Sequence, residues 1–119
     1  MNCILIVEDE PFIALDLRFA CEDAGLAAIT AGSSAAALEA LAANDTIDGA
    51  VLDVNLGNGE TCEAIAQALR QKGVPFVLNT GDLNRAGEYL RGIDAPILSK
   101  PTASSEVVER LLRHGRDSD

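Results

Sequence analysis

Five side chains that could carry out chemistry follow runs of apolar residues along the chain. They are three carboxylates, a hydroxyl and an ammonium group: Glu8, Asp9, Asp53, Thr80 and Lys100. Carboxylates that crowd together repel one another unless a cation neutralises them, and hard oxygen ligands suit Mg²⁺, with Mn²⁺ as a substitute. Beside such an ion a carboxylate oxygen can attack a phosphoryl group, while a hydroxyl and an ammonium stabilise the transferred charge. These residue types therefore indicate metal-assisted phosphoryl transfer.

An alternation of strand-like and helix-like patterns can bring these residues to one place. Continuous apolar runs predict strands at residues 3–7, 49–53, 75–78 and 97–98, with a weaker strand at 27–30. Helical spacing and capping residues predict helices at 11–24, 34–43, 62–72, 83–91 and 105–114, with a frayed tail from 115 to 119.

Five strand-then-helix units imply an α/β fold with a parallel sheet and helices on both faces, because parallel strands need crossover connections. Ligands of such sheets bind at the carboxyl ends of the strands. Asp53 is the last residue of the predicted strand at 49–53. The predicted strands at 3–7, 75–78 and 97–98 are followed within two residues by Glu8 and Asp9, by Thr80 and by Lys100, respectively. We therefore expect all five to converge on one edge of the sheet.

Composition and charge exclude several classes of protein. The length of 119 residues predicts one domain spanning 1–119, and 19 acidic against 9 basic residues give a net charge of -10. Such a field repels nucleic acids and membrane surfaces, so we expect neither as a partner. The longest apolar run, residues 3–7, is far shorter than the ~20 residues of a membrane span, and we see no signal peptide. Three separate cysteines fit core residues in a reducing compartment, which predicts a cytoplasmic location.

Four segments together resemble the receiver domain of two-component response regulators, in the chemotaxis-regulator-like superfamily. They are LIVEDE (5–10), VLDVNLGNG (51–59), NTG (79–81) and LSKP (98–101), and the resemblance extends over residues 3–114. It implies a doubly wound (βα)5 fold with a five-stranded parallel sheet in the order 2-1-3-4-5. The segment PFVLNTGD (75–82) also resembles stand-alone receivers that are common in alphaproteobacteria, although Asn79 replaces an Ala of their pattern.

The resemblance implies that Asp53 accepts a phosphoryl group. The donor would be the phosphohistidine of a sensor histidine kinase or of a histidine phosphotransfer protein. Asp9 would bind Mg²⁺ directly and Glu8 through a water molecule, and Asp53 and the backbone carbonyl of Asn55 would complete the ligands from the protein. The chain would thus be a signalling protein that catalyses only its own phosphorylation and dephosphorylation.

The resemblance also implies how the phosphoryl group is held and sensed. Lys100 would contact one phosphoryl oxygen, Thr80 would turn inward to another, and the Lys100–Pro101 peptide would be cis. Ile97 stands three residues before the lysine, where most receivers carry Tyr or Phe, so the usual coupling of threonine to an aromatic side chain would be absent or altered. Asp82 would flank the phosphoryl group and position the water that removes it, or simply cap the next helix.

The expected output follows from the length of the chain. No DNA-binding module fits after the last predicted helix, so we expect output by protein contact or by phosphorelay. A downstream partner would bind the surface of residues 83–113, which combines the predicted fourth helix, fifth strand and fifth helix. The short polar tail favours a stand-alone receiver over a piece of a hybrid kinase.

Three other functions fit parts of the pattern. A degenerate receiver would bind partners without being phosphorylated, but all five acceptor-site positions are intact. A haloacid-dehalogenase-like phosphatase needs a second Asp two residues after its nucleophile, where this chain has Asn55. A flavodoxin-type FMN carrier needs a loop rich in Ser, Thr and Gly after the first strand. This chain has Glu8-Asp9-Glu10-Pro11 there, whose three carboxylates would repel a phosphate.

Overall fold

A computed structural model describes residues 1–54, 61–81 and 95–117. Its strands are β1 (Cys3–Val7), β2 (Ala27–Ala31), β3 (Gly49–Asp53), β4 (Phe76–Thr80) and β5 (Ile97–Ser99). Its helices are α1 (Pro11–Asp23), α2 (Ser34–Ala43), α3 (Glu63–Lys72) and α4 (Ser104–Asp117). None of these helices is long and apolar enough to cross a membrane. The helix predicted at 83–91 lies outside the described residues.

The five strands form one parallel sheet in the order β2-β1-β3-β4-β5. This confirms the predicted topology. The register pairs Asp53 at the end of β3 with Asn79 of β4, and Thr80 at the end of β4 with Ser99 of β5. Because the strands are parallel, their carboxyl ends meet at the same edge of the sheet.

Apolar side chains cover both faces of the sheet. One cluster packs α2 and α3 onto one face around Leu52 and Ile65. A second cluster packs α1 and α4 onto the opposite face around Ile6 and Leu111. The strands β1, β3 and β4 are therefore buried along their whole length, as their continuous apolar runs predicted. The three cysteines are buried and unpaired, which confirms their prediction as core residues.

Side-chain and backbone caps set the ends of the helices. The carboxylate of Glu10 accepts a hydrogen bond from the N–H of Ile13 at 2.9 Å and so caps α1. The hydroxyl of Ser33 accepts one from the N–H of Ala36 at 3.1 Å and caps α2. At the end of α3, Gly73 has φ 69°, a left-handed conformation that glycine adopts most easily.

Two predicted ends differ from the structure by two residues or more, whereas the other differences are of one residue. β4 covers Phe76–Thr80 rather than residues 75–78, because the polar residues that end the apolar run still pair with β3 and β5. α4 continues to Asp117, whereas the tail was predicted to fray from Gly115. The side chain of Met1 lies against Gly115 and supplies an apolar contact from the other end of the chain.

Candidate functional site

Three carboxylates lie together at the carboxyl ends of β1 and β3. Glu8 and Asp9 follow β1 and Asp53 ends β3, and one oxygen of each lies within 4.8 Å of the others. Glu8 and Asp53 are only 4% and 6% exposed, whereas Asp9 is exposed. The loop after β1 fixes Glu8, whose Oε1 accepts a hydrogen bond from the N–H of Glu10 at 3.2 Å. This set of hard oxygen donors fits Mg²⁺, which keeps part of its hydration shell when it binds to proteins.

Lys100 directly follows β5, and its side chain extends into the acidic group. Its Nζ lies 2.9 Å from Oε2 of Glu8 and 3.4 Å from Oδ1 of Asp53. The backbone N–H of Lys100 donates to the carbonyl oxygen of Thr80 at 2.7 Å, which ties the lysine to the end of β4. The Lys100–Pro101 peptide is cis, as the resemblance implied. The ammonium therefore lies where it neutralises both buried carboxylates.

The site shifts the pKa values of two of its members. Burial, followed by the charge of Glu8, raises the pKa of Asp53 from 3.8 to about 7, although Lys100 opposes the shift. Burial lowers the pKa of Lys100, but the hydrogen bond to Glu8 and the charge of Asp53 outweigh it and raise the pKa overall. Lys100 thus remains an ammonium while Asp53 exchanges its proton near neutral pH.

Two buried polar residues of β4 complete this part of the sheet edge. Thr80 is fully buried at the end of the strand, and Asn79 is 3% exposed and pairs in register with Asp53. In the sequence, Asn79 stands out only as a departure from the alphaproteobacterial pattern. A polar residue within an apolar strand, next to the threonine, was the feature that could have identified it.

The remaining predicted residues divide into two groups. Ile97, in place of the usual aromatic residue, lies on β5 and is 42% exposed. Asn55 and Asp82, which were predicted beside the site, lie outside the described residues. The predicted partner surface at 83–113 is described only from residue 95 onward.

Comparison with known families identifies the chain. The sequence model of the response regulator receiver domain matches residues 4–112. The chain belongs to this family. A response regulator receiver protein from Sinorhizobium medicae WSM419 superposes on this receiver domain with a TM-score of 0.87 at 25% identity, over 99% of this chain and 97% of the other. No curated protein matches the sequence.

Two further solved structures widen the comparison. SdrG from Sphingomonas melonis Fr1 is 34% identical, with a TM-score of 0.77 over 98% of this chain and 97% of its own. A CheY-like receiver domain from Methanospirillum hungatei JF-1 shares the fold at 21% identity, with a TM-score of 0.83 over 99% of this chain and 96% of its own. Sinorhizobium and Sphingomonas are alphaproteobacteria, in agreement with the predicted likeness to receivers of that group.

Proposed function

We propose that this receiver domain is a phosphoryl-accepting switch whose nucleophile is Asp53. The observation that carries the proposal is the position of its carboxylate, within the acidic group and 3.4 Å from the ammonium of Lys100. Glu8 also touches Lys100, but both of its oxygens already accept hydrogen bonds, one from Lys100 and one from the N–H of Glu10. Asp53 is therefore the carboxylate better placed to attack.

The proposed reaction transfers a phosphoryl group from a phosphohistidine. An oxygen of Asp53 attacks the phosphorus, a P–O bond forms, and the P–N bond to the imidazole breaks. The imidazole nitrogen leaves with the electron pair and takes up a proton. Lys100 and the hydroxyl of Thr80 stabilise the phosphoryl oxygens.

The acidic group would hold the metal ion. Glu8, Asp9 and Asp53 supply carboxylates, and the backbone carbonyl of Asn55 is proposed as a further ligand. When bound, Mg²⁺ contributes positive charge that offsets the charge of the phosphoryl oxygens and of the carboxylates. Mn²⁺ accepts the same oxygen ligands and is expected to substitute.

We further propose that phosphorylation changes the population of two arrangements of β4, β5 and the helix predicted at residues 83–91. Since Ile97 replaces the usual aromatic residue, the change would pass through other contacts. The donor is a sensor histidine kinase or histidine phosphotransfer protein, and the output is a protein contact at residues 83–113 or a phosphorelay in the cytoplasm. With a net charge of -10, nucleic acid and membranes are not proposed as partners. Dephosphorylation assisted by Asp82 stays a prediction.

The proposal can be tested with a small phosphodonor. The protein is incubated with acetyl phosphate and Mg²⁺, and its intact mass is followed beside that of Asp53→Asn. A phosphate-sized adduct is expected in the wild type alone, and excess EDTA should prevent it. No adduct in either protein would contradict the proposal and favour a receiver that binds partners without phosphorylation.

A further inference from the structure

Asn79 buries an acceptor atom that no other described residue pairs. Its side chain is 3% exposed, and among the described residues its Oδ1 has no hydrogen-bond partner. Buried amide groups are almost always hydrogen-bonded, because water is no longer available to them. An unpaired amide oxygen beside a functional site suggests that another state of the site pairs it.

The strand register places Asn79 beside the phosphoacceptor. Asp53 and Asn79 are paired neighbours on parallel strands, so their side chains point to the same face of the sheet. Two positions earlier on the same strands, Val51 and Val77 pack into the cluster beneath α1 and α4. The side chain of Asn79 therefore lies on the α1 face at the carboxyl edge of the sheet.

Asn79 and Lys100 line the same cavity, which has a volume of about 390 Å³. The cavity lies between α1 and the segment that joins β5 to α4. Phe12 and Leu17 of α1 form part of the wall of this cavity. Their apolar side chains cannot accept a hydrogen bond from an ammonium. Three other described side chains of the lining can accept a hydrogen bond, but Ser104 donates to Asp16, and Thr102 donates to the carbonyl oxygen of Ser99. Among the described lining residues, Asn79 therefore supplies the side-chain acceptor that is in no hydrogen bond.

The hydrogen bonds of Lys100 explain when that acceptor is needed. An ammonium has three N–H donors, and here it contacts Glu8 at 2.9 Å and Asp53 at 3.4 Å. The same two carboxylates are proposed to hold Mg²⁺, Asp53 directly and Glu8 through a water molecule. A divalent cation and the ammonium compete for them, so metal binding requires Lys100 to give up at least part of its contact with Glu8. The displaced N–H group then needs another acceptor in the cavity.

We propose that Asn79 is a positioning residue that accepts a hydrogen bond from Lys100 when the carboxylates hold the metal ion. The inference rests on the proposed function, because it assumes Mg²⁺ at Glu8 and Asp53. A neutral amide oxygen can hold the ammonium near Asp53 without competing for the metal as a further carboxylate would. Asn79 thus acts through Lys100 and stabilises the metal-loaded arrangement of the site.

A double-mutant cycle on Mg²⁺ affinity tests this inference. Titration calorimetry with MgCl2 alone is carried out on the full chain as wild type, Asn79→Leu, Lys100→Met and the double variant. Leucine has nearly the shape of asparagine but accepts no hydrogen bond. Asn79→Leu is expected to weaken Mg²⁺ binding about tenfold when Lys100 is present, as befits a hydrogen bond to a charged group. In the Lys100→Met background the loss should be less than about twofold, since the donor is gone.

Further variants separate a lost hydrogen bond to Lys100 from a change in side-chain bulk or in folding. Asn79→Ala repeats the cycle without the bulk of leucine, and thermal unfolding verifies that each variant folds. Asp16→Asn is the matched control, because Asp16 also lines the cavity but is exposed and accepts a hydrogen bond from the hydroxyl of Ser104 at 2.6 Å. Its effect on Mg²⁺ affinity should not depend on Lys100.

Each remaining outcome overturns the inference. Unchanged affinity in both Asn79 variants, equal losses with and without Lys100, or coupling of Lys100 to Asp16 in place of Asn79 would each do so. If the wild type binds Mg²⁺ but shows no coupling, only the role of Asn79 fails. If the wild type binds no Mg²⁺, the proposed metal site fails and the role of Asn79 fails with it.

Discussion

As the proposed nucleophile, Asp53 would have to be buried enough to exclude water and yet ionised enough to attack phosphorus. Burial and the neighbouring charge of Glu8 raise its pKa to about 7, while Lys100 acts in the opposite direction. A carboxylate held in this way is a stronger base than an exposed aspartate but still loses its proton at physiological pH. When Asp53 is ionised it is repelled by Glu8, and a bound cation would reduce this repulsion.

The first prediction concerns stability without metal. Since the pKa of Asp53 is about 7 in the folded chain against an ordinary 3.8, its contribution to stability is present at low pH and lost as the pH rises to 7. The loss is about 1.4 kcal/mol for each pH unit across that window. Asp53→Asn should therefore raise the melting temperature in EDTA at pH 8, and the gain should shrink toward pH 5.

Thermal unfolding between pH 5 and pH 8 measures this difference. The control is Asp45→Asn at an exposed position outside the site, which should leave the pH profile of stability unchanged. A melting temperature of Asp53→Asn that lies below the wild type at pH 8 would show that Lys100 dominates the environment of Asp53.

The second prediction concerns the pH dependence of metal binding. Asp53 must lose its proton to act as a ligand, and its pKa is about 7 before the metal binds. Mg²⁺ affinity should therefore increase between pH 6 and pH 8, by up to about tenfold per unit on the acid side, and level off above pH 8. Calorimetric titrations at several pH values check this, and an affinity that is constant from pH 6 to pH 8 would contradict it.

At the level of secondary-structure elements, the turn after α3 makes a third prediction. Gly73 has φ 69°, a region that residues with a Cβ rarely adopt, although the space around it is open. Gly73→Ala should lower the free energy of unfolding by about 1 kcal/mol. Gly32 also has open space around it but no positive φ, so Gly32→Ala is the matched control.

Urea unfolding of the two glycine variants decides the point. The expected order has Gly73→Ala less stable than the wild type and Gly32→Ala equal to it or more stable, because alanine restricts the unfolded chain. Equal stabilities for both variants would mean that the left-handed conformation does not contribute at this turn.

The elements differ in how well the sequence predicted them. The buried strands β1 and β3 were predicted at their observed bounds, because strands covered on both faces give continuous apolar runs. The prediction for β4 ended two residues too early. Asn79 and Thr80 end the apolar run, although both are paired in the sheet. The end of α4 was missed because its apolar contact comes from Met1, which no local pattern reveals.

The candidate site likewise has features that the local sequence pattern predicted and features that depend on tertiary contacts. The residue types and their places after strands predicted the acidic group, which the structure brings within 4.8 Å. The 2.9 Å contact between Lys100 and Glu8 joins residues 92 positions apart, and only the packed sheet determines it. In the part of the chain that the structure describes, Oδ1 of Asn79 has no hydrogen-bond partner. This depends on strand register and on a cavity, so the sequence could not reveal it.

For the molecule as a whole, the metal ion should act as a stabilising ligand. The chain carries a net charge of -10, and two of its buried acidic groups, Glu8 and Asp53, lie at one edge of the sheet. Any ligand that binds only the folded state stabilises it, by about 2.7 kcal/mol at a concentration one hundred times its Kd. The fourth prediction is that Mg²⁺ raises the melting temperature more than NaCl of equal ionic strength.

Asp9 provides the variant that checks this prediction. Its side chain is exposed, so Asp9→Asn should fold normally and yet lose most of the stabilisation by Mg²⁺. The comparison is a set of melting curves with and without MgCl2 for both proteins. If Mg²⁺ stabilises Asp9→Asn as much as the wild type, the prediction is wrong. The ion would then bind elsewhere, or the effect would come from general screening of charge.

The most direct test of the whole account locates the phosphoryl group itself. After incubation with acetyl phosphate and Mg²⁺, borohydride reduces an aspartyl phosphate to homoserine, which peptide mass analysis can assign to a residue. We predict homoserine at position 53 and an unmodified Glu8 in the same sample. A reduced residue at position 8, or phosphate incorporation without reduction at Asp53, would contradict the assignment of Asp53 as the phosphoacceptor.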